Sequence, residues 1–216
     1  MVPLLPFWIL AASVMMVQIW RWLDVLIQAG GVNRILAWVG RGAMIGLVGW
    51  HVLYGLGFSV MYLQEDSRVK AANWAARRIP ANARIVSEVY DMGIVPFNSH
   101  FRDIELLNFY DLDTQDNPQI EMDIRRQMEE ADVMIILSRR IWFNALKHNQ
   151  EYPKAAAIYW DLLAGETEYE QVYESGGEID LGLWSIGGEK LAEETFTVFD
   201  RPRIQIWAKP GVVRVD

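Results

Sequence analysis

Hydrophobic and polar positions divide the chain into an oily front and a charged remainder. From Val2 to Trp20 only Ser13 and Gln18 interrupt the apolar run. As a helix these residues span about 28 Å, close to a hydrocarbon core of roughly 30 Å. Trp20, Arg21 and Trp22 follow as an interfacial belt. Pro3 and Pro6 fall in the first turns, where a missing N–H does little harm. The segment has no basic leader and is too long and Trp-rich for the apolar core of a signal peptide. Ala43 to Leu63 forms a second uncharged stretch. Two transmembrane helices are therefore expected, over residues 2–20 and 43–63, with the bilayer as their solvent.

Small residues recur in the second stretch, at Gly46, Gly49, Gly55, Gly57 and Ser59, and Gly42 with Gly46 makes a GxxxG spacing. Such residues let helices approach closely, so packing against other membrane helices is expected. His51 lies mid-span. It reads either as a functional group in lipid or as a neutral ring bonded to a neighbouring helix. Between the spans, Leu23 to Gly42 holds Gly30-Gly31 and then Arg34 and Arg41 around an apolar segment. A short interfacial helix is expected there, on the cytoplasmic side by the positive-inside bias. Both the N-terminus and everything after Leu63 would then lie outside the cytoplasm, at the plasma membrane.

Beyond Leu63 the pattern changes period. Gln64 to Ile79 reads as an amphipathic helix stopped by Pro80, continuing from the membrane span. Strands are expected at 83–90, 104–109, 133–137 and 169–174, with Val133 to Leu137 apolar enough to be buried on both faces. Asn117-Pro118 opens a helix to about Glu130. Further helices are expected over 140–149 and 152–163. Phe196–Phe199 and Arg203–Ala208 read as a terminal hairpin about Asp200-Arg201-Pro202. Strands alternating with helices predict a three-layer α/β domain, residues 64–216, with a mixed, mostly parallel sheet. Its central strands would be those at 83–90, 104–109 and 133–137.

Charge sharpens this partition. Only Arg21, Asp24, Arg34 and Arg41 are charged before Gln64. After Leu63, seventeen Lys and Arg stand against twenty-seven Asp and Glu, a net of −10. An acidic domain repels nucleic acid, so no such partner is expected. The absence of cysteine excludes disulfides and thiolate chemistry. No metal-ligand spacing, phosphate loop or nucleophile motif occurs, and neither a metal nor a cofactor is expected.

Candidate binding residues follow the strands. Glu88, Tyr90 and Asp91 end the first one. They could bind a sugar or a cation, or form a polar loop with a helix cap. Asp111, Asp113 and Asp116 resemble half of a calcium loop, without its glycine and distal glutamate, and also fit turn chemistry. Ser138, Arg139 and Arg140 follow the most apolar strand. Arginine there suits a lipid phosphate or diphosphate, or pairing with acids such as Asp132. Gly187-Gly188 reads as a turn.

Several runs resemble the C-terminal domain of bacterial membrane glycosyltransferases related to family 39, the protein mannosyltransferase-like group. They are AANWAARRIP (71–80), ARIVSEVYD (83–91), DLDT (111–114), ADVMIILSRR (131–140), Tyr152-Pro153 and EETFTVFDRPRIQIWAK (193–209). In the last run Phe199 and Arg201 replace the family's usual Tyr and His. The resemblance implies a GT-C enzyme that moves a sugar from a polyprenyl-phosphate donor at the outer membrane face. The family's catalytic carboxylate lies in a first external loop that has no counterpart here. The chain is thus expected to be the C-terminal part or remnant of such an enzyme. The alternative is a non-catalytic, two-span accessory subunit docked in a larger membrane complex.

Overall fold

A computed structural model describes residues 5–89, 100–115, 117–182, 185–186 and 195–214. The chain divides into two compact units, Met1–Ser59 and Val60–Asp216. The first is a helical hairpin of α1 (Leu5–Ala29) and α2 (Gly31–Ser59). Both helices are long and apolar enough to cross a membrane. Only 6% and 11% of their most apolar stretches are buried, unlike the core helices of a water-soluble protein. Phe7, Trp8, Leu10, Trp50 and Leu53 each leave more than half of their surface exposed.

The connector between them differs from its expectation. Residues 23–42 hold no separate interfacial helix, because both helices continue through the segment to meet at Gly30. Gly30 and Gly31 reverse the chain at φ +74° and +61°, a left-handed backbone that L side chains resist. At this end Arg41 pairs with Asp24 across the hairpin, and its guanidinium lies 4.6 Å from the Trp20 ring centroid. Arg41, one of the two basic residues that placed the connector, is therefore matched by an acid, and helix persists on both sides of Gly30 where a separate interfacial helix was expected.

In the second unit a 3₁₀ turn, Val60–Leu63, separates α2 from α3 (Ser67–Arg78), so the expected continuous helix is broken. Asp66 caps α3 by accepting from Arg68 N at 2.8 Å. There follow β1 (Arg84–Glu88), β2 (Asp103–Leu107), α4 (Phe109–Thr114), α5 (Pro118–Glu130) and β3 (Val133–Ile136). The chain ends through α6 (Arg140–Lys147), α7 (Pro153–Ala164), β4 (Glu170–Ser175), the short pair β5 (Ile179–Asp180) and β6 (Ser185–Ile186), and β7 (Ile204–Ala208).

The main sheet has the order β2-β1-β3-β7-β4. β1 is parallel to β2 and β3, as expected, while β7 runs antiparallel to both β3 and β4. The sheet is thus mixed but not mostly parallel as expected, because β7 sits inside it and makes two of its four strand pairs antiparallel. Side-chain alternation sorts the core into two layers. Val86, Met134, Ile136 and Trp207 join the helical cluster that includes Leu112, Ile124, Ile141 and Tyr159. Ile85, Val133, Ile135, Ile204 and Ile206 pack with Ala71, Ala72 and Ala75 of α3. This is a three-layer α/β unit with α3 on one face and α4–α7 on the other.

Two further expectations for this unit fail. Phe196–Asp200 is a π-helical turn, not a strand of a hairpin. Its Phe196, Thr197 and Val198 are buried in succession, which a strand with one wet face does not allow. Asp111 and Asp113 lie on the short helix α4, not in a turn. Asp113 accepts from Lys154 N at 2.9 Å and Ala155 N at 3.0 Å, capping α7, whose own N-cap residue Tyr152 contributes no side-chain bond.

Candidate functional site: the carboxyl edge of the parallel strands

Strand order reverses at β1, because β2 lies on one side of it and β3 on the other. In open α/β sheets the crevice outside the carboxyl ends of such strands is where ligands bind. Here that edge gathers Glu88 from β1, Ser138–Arg140 after β3, and Arg201–Arg203 before β7.

Register places the last two segments side by side. β3 pairs with β7 up to Ile136 opposite Gln205. Two residues beyond that pair, forward from β3 and backward from β7, stand Ser138 and Arg203. Ser138 is fully buried, and its Oγ accepts from Arg140 N at 3.1 Å, fixing the turn into α6. The Arg139 guanidinium lies 4.5 Å from the Phe143 ring centroid. The sequence left Asp132 open as a partner for these arginines. Asp132 instead precedes β3 at the opposite edge, where it accepts from Arg84 N at 2.9 Å.

The chain comes into the α/β unit at this same edge. Ser67 Oγ donates to Pro202 O at 2.8 Å, and Ser175 Oγ donates to Ser67 O at 2.9 Å. Two of the local arginines are already matched by acids. Arg68 pairs with Asp66 at 2.6 Å, and Arg203 with Glu174 at 2.8 Å. The Arg68 hydrogen bond holds the Asp66 carboxyl below its ordinary value. Burial pushes Glu174 up, but bonds from Arg203 and Gln171 outweigh it and leave the carboxyl lowered.

Arg201 differs from these. Its Nε is buried and, among the described residues, meets no hydrogen-bond partner. Burial pushes its guanidinium below the usual arginine range. The sequence marked Arg201 only as a departure from a familiar pattern, since lack of a partner is a property of the folded chain.

The depressed carboxyls set a pH dependence. A lowered folded-state pKa adds stability above the unfolded value and forfeits it as pH falls through the folded one. The ordinary values are 3.8 for Asp66 and 4.5 for Glu174. Hydrogen exchange, corrected for intrinsic rate, should therefore accelerate at residues 67–70 and 203–205 once pH drops below about 4. Asp66→Asn should remove the acid-dependent part at 67–70.

The other expected site residues fall as follows. Glu88 is 1% exposed, inside the helical core layer, and the Tyr159 hydroxyl donates to its Oε1. It is therefore part of the interior rather than of a polar loop. Tyr90, Asp91, Asp116 and Gly187-Gly188 lie outside the described residues. His51 bonds through Nδ1 to Leu47 O at 2.8 Å, one turn back on its own helix, not to a neighbouring helix. At Gly42, Gly46 and Gly49 an added Cβ would meet nothing within 4 Å. α1 packs instead at Gly40, where Leu23 closes to 3.2 Å of the Cβ position. Among the described residues, no group of three or more His, Asp or Glu is placed to hold a metal ion.

Sequence reasoning also missed a cleft of about 550 Å³ lined by Arg125, Glu129, Glu168, Tyr169 and Lys209. Lys209 Nζ reaches Glu168 at 3.4 Å, and the Tyr169 hydroxyl donates to Met128 O at 2.5 Å. Burial holds that hydroxyl well above the usual tyrosine range. The residues are spread from α5 to the residue after β7 and show no local motif.

Fold and edge together define an open, three-layer α/β unit carried behind two apolar helices. No protein-family model, curated protein or solved structure matches the chain.

Proposed function

We propose that this chain is the C-terminal part of a GT-C-type membrane glycosyltransferase that uses a polyprenyl-phosphate-linked sugar. In this reading α1 and α2 span the plasma membrane. The α/β unit lies outside the cytoplasm and helps to bind donor or acceptor. Arg139, Arg140 and Arg201 on the carboxyl edge carry the reading, because arginine matches phosphate geometry and this is where open α/β sheets hold ligands. The ordered run of family-like segments from 71 to 209 supports it, as do apolar helices that would be insoluble if left in water.

A second reading rests on α2. Its open glycines Gly42, Gly46 and Gly49 lie beside an apolar groove of about 460 Å³ lined by Met16, Trp20, Met44 and Val48. Small residues of this kind let another helix approach closely. They favour a non-catalytic accessory subunit docked in a larger membrane complex.

The chain has no cysteine, so one introduced by Glu151→Cys is a clean reporter. In intact cells it should react with a membrane-impermeant maleimide. A photoactivatable polyprenyl-phosphate hexose should then crosslink to residues at 138–140 or 201–203. Labelling only after lysis would place the unit in the cytoplasm and end the proposal. Labelling without crosslinking, together with stoichiometric co-purification of other membrane proteins, would favour the accessory role.

A further inference from the structure

A second cleft, of about 580 Å³, lies between α3 and β4. Its wall from α3 is Lys70, Asn73, Trp74 and Arg77, at the i, i+3, i+4 and i+7 positions that share one helix face. Tyr173 of β4 stacks on Trp74, with ring centroids 4.6 Å apart. Glu65, ahead of the helix, also lines the cleft and accepts from Asn73 Nδ2 at 3.3 Å. Arg77 Nε donates to Asn73 O at 3.0 Å, which lays the guanidinium along the helix. Among the described residues, neither Lys70 nor Arg77 forms an ion pair with a carboxylate, in contrast to Arg68 on the same helix. Two cations, one carboxylate, one amide and a pair of aromatic rings therefore line one cleft.

That combination suits a zwitterion better than a simple ion. A phosphate diester takes charge-assisted bonds from Lys70 and Arg77. A primary ammonium at its other end donates to Glu65 and is attracted to aromatic faces. A bare anion would meet Glu65 as a like charge, and the net charge of −10 beyond Leu63 opposes it further. The approach to the cleft is apolar. Tyr62 and Leu63, just before Glu65, are 73% and 87% exposed, and Val69 is exposed beside Lys70. Glu65 comes six positions after the end of α2 at Ser59, so chain length alone keeps it within about 21 Å of that end. Aromatic and basic residues just outside an apolar span belong to the headgroup region of a bilayer.

We propose that the cleft between α3 and β4 binds the zwitterionic headgroup of a membrane phospholipid. Lys70 and Arg77 hold its phosphate, Glu65 holds its primary ammonium, and Trp74 with Tyr173 supplies the aromatic floor. The inference rests on the reading of α2 as a membrane span, and not on glycosyl transfer. It shares no residue with Arg139, Arg140 and Arg201. Either face of a bilayer can present such headgroups, so the labelling outcome at Glu151→Cys does not decide it.

Titration calorimetry and thermal melting of the full chain in a neutral detergent test the cleft. The probes are short-chain phosphatidylethanolamine, the net-negative phosphatidylglycerol, diacylglycerol without a headgroup, and water-soluble glycerophosphoethanolamine. Wild type should bind phosphatidylethanolamine about fivefold or more tighter than phosphatidylglycerol, and diacylglycerol weakest of the lipids. Lys70→Gln with Arg77→Gln should weaken phosphatidylethanolamine about tenfold or more. Glu65→Gln should weaken phosphatidylethanolamine and tighten phosphatidylglycerol, inverting their order. None of the three positions is buried, so melting without lipid should stay close to wild type. Arg125→Gln with Arg126→Gln removes the same charge from α5 and should leave binding unchanged. Phosphatidylglycerol binding wild type as tightly as phosphatidylethanolamine, or an equal loss in the α5 control, would reduce the effect to general surface charge and overturn the site. Unchanged affinity in Lys70→Gln with Arg77→Gln overturns it as well. Glycerophosphoethanolamine binding as tightly as the lipid would overturn the membrane assignment and make the ligand a soluble zwitterion.

Discussion

Gly176→Ala should destabilise the protein by about 2–5 kcal/mol and lower its melting temperature on the order of 10 °C. Two separate penalties add there. Gly176 has φ +90°, which costs an L residue about 1–2 kcal/mol. A Cβ at this position would also sit 1.9 Å from Pro202 O and 3.0 Å from Ser67 Cβ. Relieving that overlap means moving backbone, at about 1–3 kcal/mol. Gly182→Ala is the matched control. Gly182 has φ +84°, but its Cβ would meet nothing within 4 Å, so only the conformational penalty applies. Thermal melts of both variants in detergent separate the two effects. Equal melting temperatures would mean that the close approach of β4 to Pro202 is wrong. Because Pro202 O also accepts from Ser67 Oγ, the damage should spread to the start of α3 and to the Arg201 segment.

The features that sequence made legible are those with local causes. Val133–Ile136 is a run of four apolar residues, and all four are buried. Asn117 and Pro118 announce their helix through a side-chain cap and a missing N–H, and the Asn117 side chain does accept from Gln119 N. The apolar fronts were visible because lipid-length runs without charge are rare in soluble chains. Features set by distant partners were not legible. The sequence FTVFD is rich in strand-favouring residues, yet among the described residues it pairs with no strand and coils as a π-turn. The six-residue α4 is too short to be stable alone and is held by Phe109 and Leu112, both buried in the core. The connector was misread as a separate interfacial helix because the pairing of Asp24 with Arg41 depends on where Gly30 folds the helices back.

The candidate edge shows the same division. Arginines after an apolar strand could be read directly, and the open-sheet rule gave them a location. That β7 would bring Arg201 and Arg203 beside them could not be read, since it depends on an antiparallel strand inserted between β3 and β4. The make-up of this edge therefore arises from topology: two short segments about sixty residues apart are brought to one end of the sheet by the pairing of β3 with β7.

Glu88 and Tyr159 offer the sharpest test of what the interior of that edge does. Tyr159→Phe should cost about 1–3 kcal/mol, although it removes a single oxygen from a fully buried ring. The loss arises because the Glu88 carboxyl stays in a dry core without the donor that faces it. The Phe109 ring, 4.9 Å away, keeps the aromatic packing intact in the variant, so lost ring contacts cannot account for the change. Glu88→Leu alone should also destabilise, by leaving the Tyr159 hydroxyl facing an apolar side chain. The double variant Glu88→Leu with Tyr159→Phe should recover part of the loss, since replacing both partners by apolar groups of similar shape can be nearly neutral. A coupling energy of about 1–2 kcal/mol from denaturant unfolding of the four proteins is expected. Simple additivity would show that the two groups do not act as a pair. It would return Glu88 to consideration as a residue kept for a ligand rather than for the core.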